Sequence, residues 1–499
     1  MGFRALSVFL FVFLFAFYGI RSAATLDPDF GWHLQFGRLI SSTGKIPLTD
    51  PYSYTMPSYH FVDHEWGMDF IIAKVYDSFG MWPLSIGASL IGITTLLIIS
   101  RGTNLRWGAI LLFLVGGTLI EFIGVRPQII SWLFLAVLTS LLFQKISWQR
   151  YRFFLPLLFL LWANLHGGFA IGIVVLGIFV FGQMAESRTV DSKDFAVFIF
   201  SFLATLCNPY GYHLWTEVLK SATDPVLRTS VQEWFPAIYS TNLAFWIYAA
   251  LSAFLLVRYH KRFSETQLVL YYVFFVSGMT SIRNIAIFVI VSFYPTIKGI
   301  EYLYEEAGRH QFGKERFKKG YSVFFVVCLL FFLPQLGLFT YEIVVFQNGL
   351  AGYPTGAVRY LRSHMPKGQI FSTYGWGGYL LWQLPEKKVF IDGRMPSWRN
   401  PGASANESTY AYGEFLHILE KKEPFATTIN SYGIDTLLVT KSDLYEKPFH
   451  FLGIPVETNP LLKFLFGSPF TFSKVVFQVR QMGWKEVYHD KTAVVFEKQ

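Results

Sequence analysis

The first two thirds of the chain alternate long apolar runs with short polar connections. Eleven runs stand out, at residues 5–24, 82–100, 107–125, 128–144, 153–165, 168–185, 195–207, 241–257, 266–280, 284–300 and 321–345. A helix crossing a bilayer needs about 20 mostly apolar residues, so the pattern predicts a mainly α, polytopic membrane bundle of about eleven spans. The shorter runs fit helices drawn inward by packing against their neighbours. The first run follows Arg4 and ends at Ala23-Ala24, so a cleaved signal peptide is the alternative for that segment.

Two stretches of the long loop 25–81 carry a helical period without the length of a span. In DPDFGWHLQFGRLI, Trp32, Phe36, Leu39 and Ile40 share a face, Asp27 is placed to cap and Pro28 to open the helix. In EWGMDFIIAKVYDSFG, Met68, Ile71, Ile72, Val75, Tyr76 and Phe79 form a stripe opposite Asp69, Lys74 and Asp77. Both patterns predict amphipathic helices lying in the membrane interface. The tail from 346 onward changes character. Short β-rich runs at 369–373, 388–392, 435–440, 474–479 and 492–497 alternate with helical patterns near 355–365 and 410–431, which predicts a small α/β domain. The expected division is therefore a membrane domain, 1–345, with its long first outer loop, and a C-terminal domain, 346–499.

Charge sets the orientation. Lys and Arg concentrate in the connections 101–106, 145–152, 186–194, 258–265 and 298–320, which places these and the N-terminus on the cytoplasmic side and the C-terminal domain outside. This distribution also disposes of nucleic acid as the explanation of the net charge of +9. Composition agrees: 53% of the 499 residues are apolar, 19% aromatic and only 15% charged, against roughly 25% charged in soluble domains. The two cysteines, Cys207 and Cys328, exclude a disulfide framework and read as small buried residues in apolar segments.

Polar groups recur at the predicted outer ends of the spans: Arg126, Asn164 and His166, Asn208, Glu233 with Trp234, and Arg283 with Asn284. No Asp, Glu, Lys or Arg lies near the middle of a run, where ion-coupled carriers place their working groups. The expected chemistry therefore sits on the extracytoplasmic side of the inner membrane.

Several elements taken together resemble the GT-C membrane glycosyltransferases, a superfamily of polytopic enzymes. They are Asp27 to Leu34, Ile46 to Tyr54, His64 to Trp66, Asn164 to Gly168 and Asn208 to Gly211, in that order and on one predicted side. They are most similar to a bacterial branch of that superfamily. The resemblance implies transfer of a sugar from a polyprenyl-phosphate donor to a glycan, lipid or protein acceptor outside the cytoplasmic membrane. It implies a catalytic carboxylate just after the first span, a place matched by Asp29 and Asp27, with Asp29 preferred because Asp27 has a capping role. A second acidic position is matched by Asp63 or Glu65. Some relatives use a divalent metal there, but no clear Asp-x-Asp follows in a later outer loop, and no metal ligands are assigned.

The expected reaction is an inverting displacement at an anomeric carbon. A carboxylate accepts the proton of the attacking hydroxyl, and the departing phosphate needs cationic or amide donors. Arg126 and Arg283 suit the phosphate, since a guanidinium grips its oxygens in a fork. His33, His64, His166, Asn164 and Glu233 complete the expected binding surface. In the tail, a strand leading into Asp392-Gly393 predicts a turn that presents Arg394 to donor or acceptor, with a structural ion pair as the plainer reading. A lipid or glycan flippase and a non-catalytic scaffold remain the alternatives.

Overall fold

The structure is a computed structural model that describes residues 3–103, 105–309, 313–345, 350, 352–420, 424–444, 450–451, 454–455 and 472–499. It is mainly helical, with a small sheet near the C-terminus. The chain forms two compact units. One comprises Met1–Leu26, Asp63–Ala222 and Ser230–Gly349, and the other Asp27–Val62, Thr223–Thr229 and Leu350–Gln499.

In the first unit every apolar run is helical, from Phe3–Ala24 to Gly313–Val345. Among the described residues, Met81–Ile99 and Phe169–Ser187 are long and apolar enough to cross a membrane. Two bent pairs, Gln128–Leu142 with Lys145–Leu165 (111°) and Ile282–Val291 with Phe293–Ala307 (53°), raise the number to four if each is one span. By length and composition, two to four spans are thus shown among the described residues, against the eleven expected. The reason is length: helices such as Gly108–Leu119 and Leu243–Arg258 rise only 1.5 Å per residue, against a hydrocarbon core of about 30 Å.

Packing between these helices relies on small residues and shared polar groups. The Tyr18 hydroxyl donates to the Gly116 carbonyl (2.7 Å) inside the unit, and Ser89 Oγ donates to the Phe15 carbonyl (2.5 Å). A side chain at Gly92 would strike the Tyr18 ring. Asn242 caps Leu243–Arg258 by accepting the Phe245 amide (3.0 Å), and its amide group reaches the Thr118 carbonyl (3.1 Å). These bonds satisfy polar groups that would be costly to bury alone. Cys207 is exposed, contrary to the buried reading; the side chain of Cys328 lies outside the described residues.

The helix Trp66–Phe79 departs from its predicted faces. Asp69 is fully buried, whereas Phe70, Ile71 and Phe79 are exposed. Its inner side packs by close approach, since a side chain on Gly67 would overlap the Asn164 carbonyl, and this brings Asp69 inward with Gly67, Ile72 and Ala73.

The second unit is built on strands β1 (Gln369–Ser372), β2 (Ile434–Thr440), β3 (His450–Phe451), β4 (Ile454–Pro455), β5 (Lys485–His489) and β6 (Ala493–Glu497). The main sheet has the order β1-β2-β6-β5, with β1 parallel to β2 and the other pairs antiparallel. Residues 388–392 form no strand but hold an isolated bridge from Val389 to Ser53. The predicted strand at 474–479 is instead the helix Ser473–Gln481, because its Val475, Val476 and Val479 are spaced to bury one helical face. Phe371 anchors the core, surrounded by the rings of Phe390, Phe415, Phe425 and Phe472.

Loop residues 27–62 are integral to this unit. Tyr54 N–H donates to the Val389 carbonyl (3.1 Å), Val389 N–H to Tyr52 (3.0 Å), and Thr55 Oγ1 to Phe390 (2.7 Å). The helix Phe30–Thr43 is buried on most sides over its first two turns rather than lying in an interface. Glycine explains how: a Cβ on Gly31 would overlap the Gly378 carbonyl, and one on Gly378 would overlap the Pro28 carbonyl. Two backbones thus meet directly, and Gln35 Nε2 donates to Leu381 O across the same contact (3.0 Å).

Candidate active site

In the helical unit, residues from distant segments gather around Glu65. This residue occupies the N-cap position of Trp66–Phe79, but its side chain makes no capping bond. Instead Oε1 lies 3.1 Å from His166 Nε2 and 3.8 Å from His64 Nε2. Glu65 and His166 are buried, whereas His64 is half-buried. His166 ends the helix Leu155–Leu165 and turns back, and its Nδ1 accepts the Gly168 amide (2.8 Å). An accepting Nδ1 has no proton, so the neutral ring carries its hydrogen on Nε2, towards Glu65. Burial holds the His166 pKa below its usual value despite Glu65, and His64 and Arg283 oppose its charge further.

Gly167 and Gly168 form the turn between Leu155–Leu165 and Phe169–Ser187, and neither has a positive φ. They are small because imidazoles need the space. A Cβ on Gly167 would stand 2.7 Å from His64 Cδ2, and one on Gly168 would stand 2.8 Å from His166 Nδ1. The neighbouring amides brace this corner. Asn164 Oδ1 accepts Trp66 Nε1–H (3.1 Å), and its Nδ2 donates to Leu160 O (2.8 Å) and Cys207 O (3.0 Å). Asn208 accepts the Tyr210 amide and donates to Thr205 and Gly211, closing a local turn.

A basic pair borders the same unit. Arg126 Nη1 lies 3.3 Å from Glu233 Oε1. The Arg283 guanidinium lies over the Trp234 ring, 5.4 Å from its centre. Two bonds tie these loops together: Ser281 Oγ to Glu233 O (3.3 Å) and Ile282 N–H to Phe235 O (2.8 Å). The Arg126–Glu233 pair is part-exposed, so it is worth about 0–1 kcal/mol and a competing anion displaces it readily.

Asp63, two residues before Glu65, behaves differently. Its Oδ1 accepts the Glu65 amide (3.0 Å), while its Oδ2 is buried with no hydrogen-bond partner. Burial, reinforced by nearby Asp69, pushes its pKa well above the ordinary value of 3.8. Burial thus favours the neutral acid in the native state. The sign follows from linkage: the fold carries no penalty below 3.8, and loses stability as pH rises from there through the raised native value. Asp63→Asn, which mimics the neutral acid, is expected to flatten this alkaline loss. Thermal unfolding between pH 5 and 9, compared for both proteins, checks it; parallel profiles would remove Asp63 as the titrating group.

The second unit holds the remaining sequence-predicted residues. Asp29, not Asp27, occupies the N-cap position of Phe30–Thr43, and the helix starts two residues later than Pro28. Asp27 supports the turn by accepting the Asp29 amide (2.8 Å). The Asp29 carboxylate makes no capping bond, is half-buried, and rests on Gly393, where a Cβ would overlap Oδ1. His33 is buried beside Trp32. Arg394 does not reach outward as a ligand-binding side chain. Its Nε and Nη2 hold Asp392 (2.8 and 2.5 Å), its Nη1 holds Asp50 (2.8 Å), and 2% of the side chain is exposed. Burial works against its charge, but Asp392 and Asp50 more than offset this and raise its pKa. The plainer structural reading of the Asp392-Gly393-Arg394 turn is therefore the one the geometry supports.

Among the described residues no three His, Cys, Asp or Glu side chains form a group able to hold a metal ion. The nearest approach, Glu65 with His64 and His166, presents a protonated Nε2 on His166, which is a donor and not a ligand. These residues do not fit a metal. Ser131 and Trp162, which touch His166 from behind, were missed in the sequence; the only signal was a hydroxyl and an indole inside apolar runs.

No protein-family model and no curated protein matches the chain. Solved structures do. The fold is similar to that of an Archaeoglobus fulgidus oligosaccharyltransferase in the apo form, with a TM-score of 0.56 at 11% identity, covering 87% of this chain and 69% of that one. The same enzyme tethered by a disulfide to an acceptor peptide containing the NVT sequon gives a TM-score of 0.52 at 11% identity and the same coverage. At this identity the likeness is one of fold.

Proposed function

We propose that the protein is a membrane glycosyltransferase that moves a sugar from a polyprenyl-phosphate donor to an acceptor on the extracytoplasmic side, with inversion at the anomeric carbon. The observation that carries this reading is the gathering of Glu65 with His64, His166 and Arg283 from three separate segments of a fold similar to that of an oligosaccharyltransferase. Structural packing alone gives no reason for such a set of ionisable groups to meet in an apolar unit.

In the reaction, the acceptor hydroxyl attacks the anomeric carbon as the bond to the phosphate oxygen breaks. Its proton passes to a carboxylate, and the lipid phosphate departs as the anion. Asp29 is the proposed base, because Asp27 carries the turn and Asp29 is not spent on capping. Glu65 is preferred to Asp63 as the second acidic residue. Asp63 is held neutral by burial, whereas Glu65 faces an imidazole donor and serves to orient the acceptor. Arg283 and Arg126 are the proposed phosphate donors, where a cation offsets the charge that grows as the bond breaks. Asn164 and Glu233 support these groups from behind.

The test uses purified protein in liposomes with radiolabelled polyprenyl-phosphate hexoses and pentoses and an envelope glycan and lipid extract. Labelled acceptor and free polyprenyl phosphate are expected in equal amounts. Movement of intact labelled lipid across the bilayer, with no polyprenyl phosphate released, would overturn the reading in favour of a flippase.

A further inference from the structure

We infer that Ser131, backed by Trp162, is a positioning residue that fixes the tautomer of His166 and so aims a proton at Glu65. This rests on the proposed role of the Glu65–His166 pair. Ser131 lies in the first turn of Gln128–Leu142, and Trp162 lies one turn before His166 on Leu155–Leu165. Ser131 Oγ stands 2.7 Å from His166 Nδ1 and accepts Trp162 Nε1–H at 2.7 Å. Nδ1 also accepts the Gly168 amide (2.8 Å).

These bonds admit one arrangement of hydrogens. An indole nitrogen only donates, so a lone pair of Ser131 Oγ is committed to Trp162. A backbone amide only donates, so Nδ1 is unprotonated. Two bare acceptors at 2.7 Å would repel, and the single Ser131 hydrogen must therefore point to Nδ1. The ring proton is left on Nε2, 3.1 Å from Glu65 Oε1. In the resting geometry that proton makes no aligned hydrogen bond, although the atom is buried. It is thus a donor that closes onto the carboxylate when a substrate shifts Glu65. The local sequence is built around this arrangement. A Cβ at Gly168 would overlap Ser131 Oγ, so alanine there would push the hydroxyl off the ring.

Protonating His166 would require Nδ1 to become a donor, which turns the Ser131 hydroxyl round and breaks the bond from the Gly168 amide. The charged groups acting on it are Glu65 and His64, from the segment preceding Trp66–Phe79, and Arg283, from the turn Ile282–Asn284. Ser131→Ala removes a donor that favours the neutral ring. Protonation then becomes easier, and the acid limb of the transfer rate moves to higher pH.

The experiment is nitrogen NMR of the full-length protein labelled at histidine, with His166 assigned by the signal lost in His166→Gln, together with transfer kinetics. In the wild type, Nδ1 is expected in the unprotonated range and Nε2 in the protonated range. Ser131→Ala is expected to mix the tautomers, lower kcat by about tenfold or more with KM little changed, and raise the acid limb. Trp162→Phe keeps the ring packing and is expected to do the same more weakly, while Ser131→Thr, which retains the hydroxyl, restores the wild-type tautomer. A protonated Nδ1 in the wild type, or an unchanged tautomer in Ser131→Ala, overturns the inference. If the tautomer changes as described while transfer is unaffected in both Ser131→Ala and Glu65→Gln, the inference stands, and the role proposed for Glu65 and His166 in the reaction falls.

Discussion

Asp29→Asn is expected to lower sugar transfer by roughly 10²–10⁴-fold, the range for loss of a positioned general base, with the fold intact. The carboxamide has the shape of the carboxylate but cannot take the proton of an attacking hydroxyl. The fold is expected to survive because Asp27 supports the entry to Phe30–Thr43 through the Asp29 amide, which the substitution leaves in place. The Asp29 side chain makes no capping bond whose loss would fray the helix. Asp27→Asn, by contrast, keeps the turn and most of the activity. The check is transfer from a radiolabelled polyprenyl-phosphate sugar, read beside thermal unfolding of each variant. Wild-type turnover in Asp29→Asn would remove this residue from the chemistry.

Arg394→Met should have the largest effect on stability. Among the described residues, the guanidinium is the only partner of the Asp392 side chain other than the amide of Arg394 itself, and it shares Asp50 with the amides of Tyr52 and Ser53. Both carboxylates are fully buried. Removing one member of a buried pair leaves uncompensated charge and costs about 3–5 kcal/mol, a large part of the roughly 5–15 kcal/mol that holds a typical domain. The aromatic rings of Phe36, Phe61 and Trp398, each about 5 Å from the guanidinium carbon, would lose their cation as well. Protease sensitivity confined to the second unit, with tryptophan fluorescence as a second probe, is the measurement. The triple variant Arg394→Met, Asp50→Asn, Asp392→Asn removes the stranded charges and should recover much of the loss. Unfolding of Arg394→Met within about 1 kcal/mol of the wild type would place this cluster among pairs that contribute little.

Much of the secondary structure was legible in local pattern. The apolar runs became helices, because a helix satisfies its backbone polar groups within the segment, which an apolar surrounding requires. Strands β1, β2 and β6 fell where branched and aromatic residues cluster. Errors arose where one pattern served two periods. Val475, Val476 and Val479 read as a strand but bury a helix face, and β5, with its exposed and partly charged residues, gave no strand signal. Fewer of the described helices have span length than the apolar runs suggest, because hydropathy reports apolarity and not helix length.

The site was legible in part. Motif order pointed to Glu65, His64 and His166, which the fold brings together, and polar groups at the ends of apolar runs pointed to Arg283, Arg126 and Glu233, of which the last two pair. It could not distinguish Arg126 from Arg394, two arginines next to turns, of which one borders solvent and the other is enclosed by carboxylates and rings. Nor could it show that Asp63 is neutral, since this depends on burial and on Asp69 six residues along the chain.

By itself the sequence determined the helical, apolar character of the first unit, the α/β character of the tail and the types of residue available for chemistry. These follow from short-range periodicity and side-chain identity. Only the tertiary structure decided that residues 27–62 build the second unit, that Gly31 and Gly378 allow two backbones to touch, that Gly167 and Gly168 make room for imidazoles, and that Ser131 fixes a histidine tautomer. Each of these depends on which atoms come within a few ångströms across long stretches of chain, and such distances are set by packing, which local sequence does not encode.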